Sequence, residues 1–113
     1  MTTRRLACNA PPAVPTVQID NDQVTVTEWR FPPGGETGWH RHGMNYVVVP
    51  QTTGPLLLDT PNGQVTSQLT TGVSYYRPVG VEHNVINPGD TEFVFVEIEI
   101  KQPGQAPAAG CSH

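Results

Sequence analysis

Residues 34–54 read GGETGWHRHGMNYVVVPQTTG, and residues 72–87 read GVSYYRPVGVEHNVIN. Each couples glycine and proline turns to a β-rich run that carries histidine. The deciding detail is His40-Arg41-His42. In an extended strand, residues i and i+2 point the same way, about 7 Å apart. Two imidazoles so placed can share one metal ion, which needs at least one more ligand from a distant segment. His83 is the candidate, because the remaining histidine, His113, stands at the terminus. The plain alternative is a chance pair of histidines on a surface strand.

Outward from these stretches the chain reads as strands and turns. Val14–Asp20 ends at Asn21-Asp22. Val24–Phe31 is β-branched and aromatic, and Pro32-Pro33-Gly34-Gly35 breaks it. Trp39–Pro50 carries the histidine pair and a valine run. Leu56–Thr60 and Gln64–Leu69 flank Pro61-Asn62-Gly63, where Asn-Gly is a strong hairpin turn. Gly72–Arg77 and His83–Ile86 follow, and Phe93–Ile100 comes after the turn Asn87-Pro88-Gly89-Asp90. Eight strands at this spacing predict an all-β sandwich or barrel. The 23 Gly and Pro residues, with no collagen-like period, fit many tight turns.

The last strand predicts an interior. Phe93, Phe95, Glu97 and Glu99 share one face, and Val94, Val96, Ile98 and Ile100 share the other. The Phe/Glu face fits the lining of a cavity. The aliphatic face needs a cover, and with Val14–Asp20 it predicts a homodimer, since a chain this small buries limited surface alone.

Other function classes are excluded by composition. Net charge is −4, with no basic patch to bind nucleic acid. No apolar run reaches the roughly 18 residues of a membrane span. The start, MTTRRLACNAPPAVP, lacks the apolar segment of a secretory signal, so a cytoplasmic location is expected. Cys8 and Cys111, in opposite tails, are expected as reduced thiols there. Residues 1–13 read as an N-terminal arm, 14–101 as one domain and 102–113 as a flexible C-terminal tail.

The two histidine stretches resemble the two motifs of the cupins. The first has the form G-x5-H-x-H-x3,4-E-x6-G, and Gly34, His40, His42 and Gly54 match it. The second is G-x5-P-x-G-x2-H-x3-N, and Gly72, Pro78, Gly80, His83 and Asn87 fill every fixed position. The resemblance implies a double-stranded β-helix, or jelly roll, with a metal inside one end of the barrel. One departure matters. The glutamate of the first motif is missing: its place holds Tyr46 with three intervening residues, or Val47 with four. Three neutral imidazoles leave the full charge of a divalent ion uncancelled, so the centre is a stronger Lewis acid that favours an anionic ligand. Tyr46 is expected as an aromatic wall beside the metal.

The phrases ETGWHRHGMNYVVVP, GVSYYRPVGVEHNVIN and FVFVEIEIK are similar to small bacterial cupins related to β-diketone-cleaving dioxygenases, which also use three histidines. That likeness implies Fe(II) on His40, His42 and His83, with Zn, Ni or Cu as alternative occupants. It implies a small anionic or enolisable β-dicarbonyl substrate and O2 as co-substrate. Arg77 and Glu97 are the candidate residues around the reaction, Arg77 to hold the anion and Glu97 to pair with it or act as a base. Met44, Tyr46, Phe93 and Phe95 are candidate pocket walls. Trp29, Phe31, Tyr75 and Tyr76 are expected chiefly in the core, Glu36 and Glu82 in solvent, and Asn87 in a turn. Two other classes stay open: an O2-independent metal-dependent isomerase or lyase, and a ligand-binding module without catalysis.

Overall fold

A computed structural model describes residues 10–101. Cys8, Cys111, the first nine residues of the arm and the whole tail 102–113 lie outside that range. The described chain forms β1 (Val14–Asp20), β2 (Val24–Phe31), β3 (His40–Arg41), β4 (Asn45–Pro50), β5 (Gly54–Thr60), β6 (Gly63–Leu69), β7 (Tyr75–Arg77), β8 (Glu82–Ile86) and β9 (Phe93–Ile100). All strand pairs are antiparallel, in a five-stranded sheet β1-β2-β9-β4-β7 and a four-stranded sheet β3-β8-β5-β6. The two sheets face each other as a jelly roll. Among the described residues no helix is long and apolar enough to cross a membrane.

Nine strands stand where eight are expected. Trp39–Pro50 is two strands, because the chain leaves one sheet and enters the other at residues 42–44. The switch is fixed by long-range backbone bonds: His42 N–H donates to Val81 O, and Gly80 N–H donates to His42 O, both at 2.9 Å. Gly80 holds φ at 100°, a left-handed value that side-chain-bearing residues disfavour.

Alternation along β9 is realised as expected. Phe93, Phe95, Glu97 and Glu99 are buried inside. Phe31, Tyr46, Val48, Leu56, Leu69, Val85, Phe93 and Phe95 form the core between the sheets. Register across the larger sheet places two rows on its inner face: Thr27–Glu97–Val48–Tyr75 and Thr25–Glu99–Tyr46–Arg77. The outer face carries Ile19–Val26–Ile98–Val47–Tyr76, an apolar row crossing all five strands. Tyr76 is therefore exposed and outside the core, because it alternates with inward-facing Tyr75 and Arg77.

One further expectation changes. Glu36 is buried rather than solvated, and its carboxylate accepts from the Asn84 amide. The end of the arm is tied down: Ala13 N–H donates to Glu36 O and Glu36 N–H donates to Pro11 O. Asn87 is the buried staple of its turn. Its amide donates to Phe31 O, Pro32 O and Thr91 O, and its carbonyl accepts from Gly89 N–H.

Candidate metal centre

His40 and His83 are direct cross-strand partners on β3 and β8. His42 lies just past the end of β3, held by the bonds to Gly80 and Val81. The spacing of the two motifs thus becomes a meeting of three rings. His40 Nε2 lies 3.0 Å from His42 Nε2, and His42 Nε2 lies 3.2 Å from His83 Nε2. The three histidines form a cluster that can hold a metal ion.

The donor set fits a cation. Gly38 O can only accept, so the 2.9 Å contact from His40 Nδ1 puts the proton on Nδ1 and leaves Nε2 a lone pair. Burial lowers the pKa of His40, and that of His83 is pushed down to about 4 by burial first, then by His40 and Arg77. Both rings are neutral at pH 7, the state that ligates. His40 Nε2, His42 Nε2 and His83 Nε2 lie close enough together for one divalent ion to be held by all three.

Surrounding residues fix these rings, and sequence spacing did not point to them. Gly38 sits at φ 88°, which turns its carbonyl toward His40. Asn84 Oδ1 accepts from Gly38 N–H at 2.8 Å, and its amide donates to Glu36 and, at 3.4 Å, to Asp59. Thr37 Oγ1 lies 3.3 Å from His40 Nδ1 and accepts from Val85 N–H. Neither Thr37 nor Asn84 occupies a fixed motif position. The only signal was adjacency to the ligands.

Tyr46 takes the place where the motif has glutamate. Its ring stacks on His42 with centroids 3.9 Å apart and planes 18° apart. Burial chiefly raises the pKa of its phenol, with Glu97 adding to the effect. Among the described residues no carboxylate replaces the missing glutamate at the converging nitrogens. Glu97 Oε2 lies 3.9 Å from His42 Nδ1, the opposite edge of that ring. Its pKa is pushed up to about 8 by burial first and then by Glu99, against a hydrogen bond from Trp29.

A cavity of about 510 Å3, counted with its open mouth, adjoins the centre. Thr37, His40, His83, Arg77, Glu97, Tyr46 and Tyr75 form its polar part, and Leu56, Leu58, Leu69, Val85 and Phe95 are among its apolar walls. Of the four expected wall residues, Tyr46 and Phe95 line it. Met44 and Phe93 are buried elsewhere, Phe93 within the core against Gly54. Strand alternation fails for Met44 because it sits in the sheet-switching bend. Trp29 and Tyr75 also line the cavity rather than only filling the core. Glu97 does not pair with Arg77: β4 stands between their strands. Glu82 lies at the surface, 3.5 Å from Arg41.

A small all-β barrel with a three-histidine cluster at the edge of an internal cavity defines a class of protein, and comparison with known proteins gives that class its family. Residues 27–99 match the Cupin domain family. The chain is 64% identical over 91 residues to the beta-alanine degradation protein BauB of Pseudomonas aeruginosa, covering 80% of this chain and 96% of that one. The crystal structure of a cupin domain from Bordetella pertussis Tohama I is 81% identical, covers 83% of this chain and 98% of that one, and superposes with a TM-score of 0.83. An RmlC-like cupin from Methanocaldococcus jannaschii, with a double-stranded β-helix, shares the fold at 16% identity and a TM-score of 0.67, over 84% of this chain and 85% of that one. The chain belongs to the cupin superfamily.

Two outcomes are expected. His83→Ala abolishes stoichiometric binding of a divalent metal, read by metal analysis, while circular dichroism still reports a folded barrel. A variant that keeps one tight equivalent contradicts the centre. The second concerns the metal-free protein. Glu97 has a folded pKa above its unfolded value, so its stabilising effect is full below about pH 4.5 and is lost as pH rises through about 8. His83 has a lowered folded pKa and costs stability only below about 6.5. Between pH 6.5 and 8 the wild-type apoprotein is expected to lose ~1.4 kcal/mol per pH unit through Glu97, and Glu97→Gln to remove that slope in urea denaturation.

Proposed function

We propose that this cupin is a mononuclear non-heme Fe(II) dioxygenase that cleaves a small β-dicarbonyl compound. The observation that carries this reading is the meeting of three imidazole nitrogens with no carboxylate among them. When bound, the divalent ion supplies uncancelled positive charge, Lewis acidity and, as iron, a redox partner for O2. That charge favours the enolate of a β-dicarbonyl over its neutral form. O2 adds across the bond that breaks: one oxygen atom ends in a carboxylic acid and the other in a 1,2-dicarbonyl fragment.

The chain's own groups serve this chemistry in separate ways. Gly38 O, Thr37 and Asn84 hold His40 in its ligating tautomer. Glu97 faces the Nδ1 edge of buried His42, and the Tyr46 ring stacks on its face. Leu56, Leu58, Leu69, Val85 and Phe95 fit a short carbon skeleton and exclude water from it. The name of the Pseudomonas relative adds chemical support. β-Alanine carries its amine two carbons from a carboxylate, so oxidative loss of that amine leaves an oxo group and a carboxyl in 1,3-relation. We place the reaction in the cytoplasm, whose reducing conditions suit a ferrous centre. We also propose a homodimer closed over the outer apolar row Ile19–Val26–Ile98–Val47–Tyr76, two of whose members are left strongly exposed in one chain.

The test is anaerobic loading with Fe(II), addition of 2,4-pentanedione or a short β-oxo acid, and then admission of O2. A new charge-transfer absorption followed by O2 uptake, with an acid and a 1,2-dicarbonyl as products, is expected. Protein shown to contain iron that gives neither signal with either compound contradicts the dioxygenase reading.

A further inference from the structure

Four described side chains carry a fixed positive charge: Arg30, Arg41, Arg77 and Lys101. Three of them pair with carboxylates. Arg30 meets Glu28 at 2.9 Å and Glu92 at 3.0 Å, Arg41 meets Glu82 at 3.5 Å, and Lys101 meets Asp20 at 2.7 Å. All four pairs lie at the surface. Arg77 is the fourth, and it is the one that lines the cavity. Among the described residues no carboxylate lies within ion-pair distance of it.

Strand order explains the isolation. Arg77 ends the inner row Thr25–Glu99–Tyr46–Arg77, so Tyr46 on β4 separates it from Glu99 on β9. Glu97 lies one row further along the same strand, behind Val48. The guanidinium instead rests over the Tyr75 ring, 4.9 Å from its centroid. A ring face offsets only part of the cost of removing a cation from water. An unneutralised cation thus shares one small chamber with His40 and His83.

We infer that Arg77 is the carboxylate anchor of the cavity, and that the substrates are β-oxo carboxylates rather than uncharged β-diketones. This rests on the proposed reaction at the three histidines and narrows its substrate class. A single guanidinium fork matches the two oxygens of a planar carboxylate. Apolar Leu56, Leu58, Val85 and Phe95 line other parts of the same chamber, which suits one terminal charge on a short skeleton and disfavours a second. Tyr75 holds the fork at its aromatic face, leaving the guanidinium edges for the ligand.

The experiment uses zinc-loaded full-length protein, so that binding is read without turnover. Calorimetry gives Kd for acetoacetate and for 2,4-pentanedione, which share a dicarbonyl but differ in the carboxylate. In Arg77→Gln the ratio of the two constants is expected to shift about 10–100-fold against acetoacetate, and Arg77→Lys to recover part of that shift. Equal zinc stoichiometry in all three proteins shows that the centre is intact. In wild-type protein the Arg77 Nε–H resonance is expected to move with acetoacetate and stay in place with 2,4-pentanedione. A ratio unchanged within threefold in Arg77→Gln, or an Arg77 resonance that responds to both compounds alike, overturns the anchor. O2 uptake by the iron-loaded enzyme is scored separately. An Arg77-dependent ratio without O2 uptake keeps the anchor and removes the dioxygenase reading; O2 uptake with an unchanged ratio does the reverse.

Discussion

Three imidazole nitrogens that converge on one point impose the constraint on which this barrel's other features depend. Bringing three side-chain nitrogens to within 3.0 and 3.2 Å of one another requires rings held from behind. Each restraint is a specific piece of the fold. The β3–β8 pairing puts His40 opposite His83. The left-handed turn at Gly80 grips the backbone of His42 on both sides. Gly38, Thr37 and Asn84 fix the tautomer of His40, and Asn84 is in turn held by buried Glu36. A cation bound at the meeting point would be held by these three nitrogens and would stabilise the fold by mass action.

The placement of the carboxylates decides what such a centre does. Glu97 and Glu99 are buried near His42, yet Glu97 faces the Nδ1 edge while the metal-directed edge is Nε2. In the apoprotein burial favours the protonated form of Glu97. Tyr46 fills the position of the motif glutamate with an uncharged ring. With a divalent ion on these neutral ligands, the ion and Arg77 would make the pocket positive in an acidic protein, a contrast that would favour anions under the proposed reaction.

Much of this was legible in the sequence, for identifiable reasons. Glycine, proline and histidine at fixed spacings specify turns and ligands together, so the motifs located His40, His42 and His83 without any coordinates. Strict alternation in Phe93–Ile100 separated inner from outer face because a strand has period two. What escaped reading depends on distant partners. Trp39–Pro50 looked continuous, since the bend at residues 42–44 is created by backbone bonds to residues 80 and 81. Glu36 looked solvated because Asn84, its partner, is 48 positions away. Tyr75 and Tyr76 are equivalent as sequence, and only pairing with β4 sends one inward and the other to solvent.

The most direct test of the central claim is X-ray absorption at the metal edge of the iron-loaded protein, paired with an anomalous difference map from a crystal. The account predicts one ion bound by three imidazole nitrogens, His40 Nε2, His42 Nε2 and His83 Nε2, with only exchangeable oxygen donors completing its shell. A carboxylate oxygen of Glu97 or the phenol oxygen of Tyr46 bonded to the ion, or an ion held away from any of these histidines, would contradict it.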